Sequence, residues 1–207
     1  MRTAIRRKKT CYLDDTMTSL IKGGVFTSPL LGHFAVYDTK VPFPLNPNRN
    51  ALRCLQEAML QEGEWVIFME DDIHVISHFL EGVDQWLSDC GEVGLFFPLG
   101  ANYKAIMECT DFWEYPLDLF YGTQAYCLRK RDLPSLIEYI IQNTKTLRTG
   151  HDKIIQWWAQ SRGVTHVRTP CPSFVQHTGV DSSLTHGKFF TFESWPGEDY
   201  EYGGKQE

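Results

Sequence analysis

The chain has 207 residues, 43% hydrophobic and 14% aromatic, which is enough to bury one sizeable core and favours a single domain over residues 1–207. Its net charge of −6 disfavours a general polyanion-binding protein, although five basic residues form a patch near the amino terminus, at Arg2, Arg6, Arg7, Lys8 and Lys9. No apolar run is long enough to cross a bilayer and none follows the basic start, so the sequence predicts a cytoplasmic protein without membrane insertion.

The amino-terminal third of the chain alternates helical and strand patterns. Apolar residues spaced by three and four predict a helix over residues 12–21, which two glycines end. A short strand is predicted over 33–38, and the proline-rich stretch 41–48 predicts a loop. A second helix is predicted over 49–61.

The rest of the chain continues this alternation. Residues 65–69 are apolar on both strand faces, which is typical of a strand covered on two sides. Further helices are predicted from residue 77, from residue 132 and over 151–160, and further strands over 93–99 and 125–130. Residues 196–207 are predicted to form a loose tail. Strands that alternate with helices predict an α/β fold with a mainly parallel sheet flanked by helices.

The six cysteines are widely spread and form no C-x-x-C pair. This spacing fits reduced thiols that pack in the interior better than a disulfide framework or a zinc site. They are Cys11, Cys54, Cys90, Cys109, Cys127 and Cys171.

Three consecutive acids, Glu70, Asp71 and Asp72, follow the predicted strand at 65–69. Ligands bind at the carboxyl ends of strands in open α/β sheets. Because strand side chains alternate, Glu70 and Asp72 point to one side and can converge on one hard cation, which would relieve their repulsion. The alternative is that the acids cap the following helix or pair with surface arginines, and the apolar residues on both sides disfavour it.

The triplet resembles the metal-binding D-x-D or E-D-D motif of nucleotide-sugar glycosyltransferases with the GT-A fold. Three further kinds of segment fall in the order of that family, which includes enzymes of the N-acetylglucosaminyltransferase IV type and bacterial and phage relatives. They are R-R-K-K-T-C-Y-L-D-D-T-M-T-S-L-I-K-G-G (6–24), Y-G-T-Q-A-Y (121–126), and the late pair G-H-D-K-I-I-Q-W-W (150–158) and P-S-F-V-Q-H-T-G-V-D-S-S (172–183). The resemblance spans about residues 6 to 184 and implies a GT-A-like fold with a Rossmann-like nucleotide-sugar-binding core.

The resemblance implies a metal site formed by Asp72 and His177. A divalent cation there would stabilise the charge that develops on a departing diphosphate. A carboxylate and an imidazole favour Mn²⁺ over Mg²⁺ as that cation. Without the motif, a lone histidine at this place is more often a hydrogen-bonded structural residue. Glu70 and Asp71 would support the donor by contacting ribose, water or a backbone donor.

Asp152, at the start of the predicted helix over 151–160, matches the acidic position of the family and would be the base that takes a proton from the acceptor hydroxyl in an inverting enzyme. By helix propensity alone, an ordinary helix-cap aspartate is the better interpretation. In a retaining enzyme, Asp152 would instead bind a sugar hydroxyl.

The remaining donor-site candidates lie beside strand ends, with Arg6 and Arg7 at the carboxyl end of a first strand and Asp38 at the end of the strand over 33–38. Arg6 or Arg7 would contact phosphate or uracil, and Asp38 would hold the base or ribose. The donor sugar would lie against four consecutive residues, Tyr121, Gly122, Thr123 and Gln124. The expected donor is a nucleotide-diphosphate sugar, specifically a UDP-sugar, and the expected acceptor is a hydroxyl of a glycan or of a modified base in phage DNA.

Two other classes of function remain open. A nucleotidyltransferase would also use carboxylates and a divalent cation, but it normally needs a glycine-rich phosphate loop after the first strand, where this chain has Arg-Arg-Lys-Lys. A non-catalytic sugar-binding or metal-binding module is the second alternative. P-loop and dinucleotide-binding fingerprints are both absent from the sequence.

Overall fold

The protein is described by a computed structural model. It describes residues 2–7, 18–23, 34–38, 46–70, 72–90, 94–100, 112–143, 150–177 and 195–203, and within 2–7, 34–38, 46–47 and 49–50 it describes the backbone. Asp71 therefore lies outside the described residues, as do Cys11 and Cys109.

The described residues form strands and helices in alternation. The strands are β1 (Arg2–Arg7), β2 (Phe34–Asp38), β3 (Trp65–Glu70), β4 (Ile73–Val75), β5 (Phe96–Pro98), β6 (Phe112–Pro116), β7 (Ala125–Arg129), β8 (His166–Pro170) and β9 (Val175–His177). The helices are α1 (Asn46–Met59), α2 (Phe79–Cys90), α3 (Leu133–Asn143) and α4 (His151–Ser161), and residues 18–22 are also helical.

The central sheet has five strands in the order β2-β1-β3-β7-β5. Strand β1 runs parallel to both of its neighbours, whereas β7 runs antiparallel to β3 and to β5. The prediction of a mainly parallel sheet is therefore wrong, because the sheet is mixed. A β7 strand parallel to β3 would need a connection that crosses to the end of the sheet where β3 begins. Instead, the segment before β7 enters at the end where β3 finishes, so β7 runs antiparallel to β3.

Two small antiparallel sheets accompany the central one. Strand β4 pairs with β9, and β6 pairs with β8. The sequence pattern predicts none of β4, β6 and β8. Strand β4 has only three residues, and β6 and β8 contain charged residues and each end in a proline, so none of them shows a clear strand pattern.

The core lies on both faces of the central sheet. Along β3, Val66 and Phe68 pack into one hydrophobic cluster with α1, α3 and α4, and Ile67 and Met69 pack into a second cluster with α2. All four side chains are buried, and each contributes roughly 1.5–3 kcal/mol relative to an exposed position. This arrangement confirms the prediction of a strand covered on two sides.

A proline and a glycine lie at two of the helix boundaries. Helix α1 begins at Asn46, inside the stretch 41–48 that was predicted to be a loop, and Pro47 lies in its first turn, where proline is well tolerated. Helix α4 begins at His151 as predicted and ends before Gly163, whose φ of 82° is accessible to glycine.

The described part of the tail, 195–203, packs against the molecule. Trp195, Tyr200 and Tyr202 lie against the second hydrophobic cluster, and the Tyr202 ring contacts the Phe174 ring at 5.1 Å between centroids. This packing differs from the loose tail that the sequence predicts from Pro196.

The four described cysteines are buried thiols, as the packing interpretation predicts. Burial raises the pKa of the Cys127 thiol well above its usual range, which disfavours the reactive thiolate. Among the helices in the described ranges, none combines the length and apolarity needed to cross a membrane.

Candidate functional site

Apart from Asp71, which lies outside the described residues, the predicted donor-site residues have backbone positions at one edge of the central sheet. The carboxyl ends of β1, β2 and β3 share this edge, since Arg6 is the backbone partner of Glu70 and Arg7 is the partner of Asp38. Strand β7 runs the other way and begins at Ala125, opposite Met69, so the segment 121–124 reaches the same edge.

Asp72 and His177 come together beside this edge. Asp72 immediately precedes β4, and Ile73 in β4 is the register partner of His177 in β9. The two side chains lie 3.3 Å apart, from His177 Nε2 to Asp72 Oδ2, and those of His177 and Asp72 are 7% and 2% exposed. Residues that are 105 positions apart in the sequence thus form a buried carboxylate–imidazole pair.

The pair fits two ligands of one divalent cation. Ligand bonds of about 2.1 Å at about 90° place two ligand atoms roughly 3 Å apart, close to the separation seen. Over the described ranges, no group of three or more His, Cys, Asp and Glu side chains is placed to hold a metal ion. A cation that keeps waters and binds substrate phosphates needs only one or two protein carboxylates, so two protein ligands are compatible with such a site.

Glu70 is tied to the segment that precedes β7. Its backbone N–H donates to the Gln124 carbonyl at 2.8 Å, and the Thr123 hydroxyl donates to Glu70 Oε1 at 3.2 Å. The end of β3 and the predicted sugar-binding segment therefore form one connected wall. Tyr121, in the same segment, is 59% exposed and available for contact with a ligand.

Asp152 is placed on the same wall by helix α4. The Gly122 N–H donates to Asp152 Oδ2 across a long 3.4 Å, and Gly122 has a φ of 86° that favours glycine. The N-cap of α4 is Gly150, so Asp152 lies in the first turn and is not the cap residue.

A buried hydrogen bond next to Asp152 was not anticipated from the sequence. The Tyr126 hydroxyl and His151 Nε2 lie 2.9 Å apart, and both residues are buried against Phe68. Burial, followed by the nearby Cys54 and Glu70, raises the pKa of Tyr126 well above its usual range, so the phenol stays neutral. No local signal identifies this pair, because the partners are on different elements.

Four aromatic residues near the carboxyl half of the chain, Trp113, Tyr115, Trp157 and Trp158, have different environments. Trp158 is buried and donates from Nε1 to the Ser135 hydroxyl at 3.2 Å, which is a core role. Trp113 and Tyr115 stack on each other at 4.5 Å, and Trp157 is 37% exposed.

Comparison with solved structures identifies a protein of similar fold. The crystal structure of A197 from STIV is 11% identical and aligns with a TM-score of 0.52, covering 99% of this chain and 98% of that chain. No protein-family model matches the sequence, and neither does any curated protein.

Two glycosyltransferase structures align less closely. One is a glycosyltransferase involved in glycosylation of the major capsid of PBCV-1, 13% identical, with a TM-score of 0.46 over 70% of this chain and 67% of that chain. The other is the galactosyltransferase LgtC in complex with donor and acceptor sugar analogs, also 13% identical, with a TM-score of 0.46 over 77% and 70%. TM-scores below 0.5 do not establish a common fold, whereas the alignment with A197 shows a similar fold.

Proposed function

We propose that this protein is a divalent-metal-dependent glycosyltransferase that transfers a sugar from a nucleotide-diphosphate sugar to a hydroxyl acceptor with inversion. The observation that carries the proposal is the buried Asp72–His177 pair beside the carboxyl edge of β1, β2 and β3. The motif resemblance implies that both residues are metal ligands, and burial of a carboxylate against an imidazole suits the binding of a cation.

Asp72 and His177 would hold the cation, with Mn²⁺ favoured over Mg²⁺ by the imidazole ligand. When bound, the cation would neutralise charge on the departing diphosphate. Glu70, which Thr123 and Gln124 fix in place, would orient the ribose or a water. Arg6 and Arg7 lie on the same edge by register and would neutralise phosphate.

Asp152 would take the proton from the attacking acceptor hydroxyl. Its contact with the Gly122 N–H places the carboxylate against the segment 121–124, which would line the donor sugar. In an inverting enzyme the base takes the proton from a hydroxyl that attacks the sugar from the opposite side to the diphosphate. The anomeric configuration of the product, measured by NMR, separates this role from that of a sugar-binding residue in a retaining enzyme.

The donor proposed is a UDP-sugar, and the acceptor is a glycan hydroxyl or a hydroxymethylated base in DNA. Salt dependence distinguishes the two acceptors, because binding to DNA releases counterions and weakens steeply with salt. Activity that does not change between low and moderate salt would exclude the DNA acceptor.

The proposal is tested by incubating the protein with Mn²⁺ and a panel of nucleotide sugars and measuring free nucleoside diphosphate. Wild-type protein is expected to release it, and Asp72→Asn or a chelator is expected to abolish the release. The matched control is Asp84→Asn, which alters an exposed carboxylate on helix α2. Release of pyrophosphate would instead indicate a nucleotidyltransferase, and binding without turnover would indicate a non-catalytic module.

A further inference from the structure

Glu198, in the tail segment 195–203, forms ion pairs with two residues, one of which lies in β4, the strand that follows Asp72. Glu198 Oε1 contacts His74 Nδ1 at 2.7 Å, and Glu198 Oε2 accepts a hydrogen bond from Lys22 Nζ at 3.1 Å. The carboxylate thereby connects three parts of the chain that are far apart in sequence. His74 lies in β4, and Lys22 ends the helical stretch 18–22.

The anchored strand is one that needs support. Strands β4 and β9 have three residues each and form a two-stranded sheet of their own. A two-stranded sheet is marginally stable in isolation, so contacts outside its ladder must fix its geometry. The separation of Asp72 from His177 depends on that geometry, because Ile73 and His177 are register partners.

The helical stretch 18–22 supplies a second anchor on the same strand. The Ser19 hydroxyl accepts a hydrogen bond from the Val75 N–H at 2.8 Å, and Gly23 lies so close to Val75 that a β-carbon would collide with its side chain. Glu198 joins this helical stretch to β4 through Lys22 and His74. The helical stretch, β4 and the tail are thus each in contact with the other two.

Glu198 is well placed to act as this link, and the neighbouring Glu201 is not. Burial alone would raise the pKa of Glu198, but the hydrogen bonds from Lys22 and His74 outweigh it and lower the pKa. Glu201 contacts His78 at 3.4 Å, and those two side chains are 55% and 64% exposed, whereas that of Glu198 is 27% exposed. An exposed pair of that kind contributes little.

We propose that Glu198 is a positioning residue that holds β4 against β9, so that Asp72 and His177 present their ligand atoms to one cation. This inference rests on the metal dependence given under the proposed function. It adds that the tail, distant in sequence from the acidic triplet, sets the affinity for the metal.

The test measures Mn²⁺ binding to the full-length protein by isothermal titration calorimetry, with UDP present, for wild type, Glu198→Gln and Glu201→Gln. Loss of a group that hydrogen-bonds a metal ligand directly typically weakens metal binding by about 10-fold to 100-fold. Glu198 contacts His74, two positions from Asp72, so the expected result for Glu198→Gln is a loss of about 10-fold, at the lower end of that range. Glu201→Gln, a matched glutamate–histidine pair in the same segment, is expected to keep wild-type affinity.

Thermal unfolding of each variant accompanies the titration, so that binding is compared at a temperature where all are folded. Lys22→Gln removes one partner and leaves the His74 contact, and it is expected to give a smaller loss of the same sign. It keeps the inference testable if Glu198→Gln does not fold.

The outcomes separate the two proposals. If wild type binds Mn²⁺ and Glu198→Gln binds it equally well, the positioning role is overturned while the proposed function stands. Equal losses for Glu198→Gln and Glu201→Gln would also overturn it, since they would indicate a general effect of the tail. A wild-type protein that binds no Mn²⁺ overturns both proposals.

Discussion

Replacement of Gly150 separates the position of the Asp152 carboxylate from the stability of helix α4. Gly150 is the N-cap of the helix, and its φ of −63° and ψ of 160° are accessible to alanine without strain. A methyl group at this position would collide with Oδ1 of Asp152. Gly150→Ala is therefore expected to displace the carboxylate while leaving the backbone in place.

The expected size of the effect follows from this geometry. The added β-carbon would lie 2.4 Å from Oδ1 of Asp152, and ordinary van der Waals contact begins at 3.4 Å, so the oxygen must move by about 1 Å. Misplacing a reacting group by about 1 Å costs on the order of 100-fold in rate, so kcat should fall about that far. The N-cap change costs up to about 1 kcal/mol, and restriction of the unfolded chain offsets about 0.4–1 kcal/mol. The Tm should then move by no more than about 4 °C.

The assay follows nucleoside diphosphate release with Mn²⁺ and the best UDP-sugar, in parallel with thermal unfolding. Wild type, Gly150→Ala, Asp152→Asn and the double variant form a double-mutant cycle. If Gly150→Ala acts through the carboxylate, it should cause little further loss once Asp152 is asparagine. Wild-type kcat in Gly150→Ala, or a full loss that persists in the Asp152→Asn background, would refute the reasoning.

Three further predictions concern metal, core and tail. At Mn²⁺ 100-fold above Kd, binding should stabilise wild type by about 2.7 kcal/mol, or roughly 5–11 °C in Tm by differential scanning fluorimetry, and Asp72→Asn should remove this shift. Tyr126→Phe removes the hydrogen bond between Tyr126 and the buried His151 and should lower the free energy of unfolding, measured with urea, by about 1–3 kcal/mol. An unchanged free energy of unfolding would contradict a stabilising role for this hydrogen bond. Hydrogen bonds from a lysine and a histidine outweigh burial and lower the pKa of Glu198 from its ordinary 4.5, so its stabilisation is present above that pH and lost as pH falls through the lowered value. Urea midpoints of wild type and Glu198→Gln should therefore converge in acid, and a constant difference would contradict the assignment.

Features that depend on local pattern were predictable from the sequence. The residues of β3 are apolar on both faces, and the structure buries Val66 and Ile67 on opposite sides of the sheet. The position of Glu70 at the carboxyl end of that strand follows from the same pattern. The direction of β7 does not, because a strand buried on both faces has the same composition whether it runs parallel or antiparallel to its neighbour.

Features that depend on long-range pairing were not predictable from periodicity. Propensity alone favoured a helix-cap role for Asp152, but Gly150 occupies the cap and the carboxylate contacts the Gly122 N–H. The contact between Glu198 and His74 joins positions 124 residues apart, and nothing in either local sequence identifies its partner. Such pairs are set by packing of the whole chain.

The proposed metal pair and the proposed base are supported by different parts of the fold. Asp72 and His177 depend on the short β4–β9 ladder and its anchors, whereas Asp152 lies on an 11-residue helix that packs against α3. Effects of substitutions that share no partners usually add in free energy to within about 0.5 kcal/mol. The fold-losses in kcat/KM for Glu198→Gln and Gly150→Ala should therefore multiply in the double variant. A combined loss well below the product would show that one structural element positions both the cation and the base.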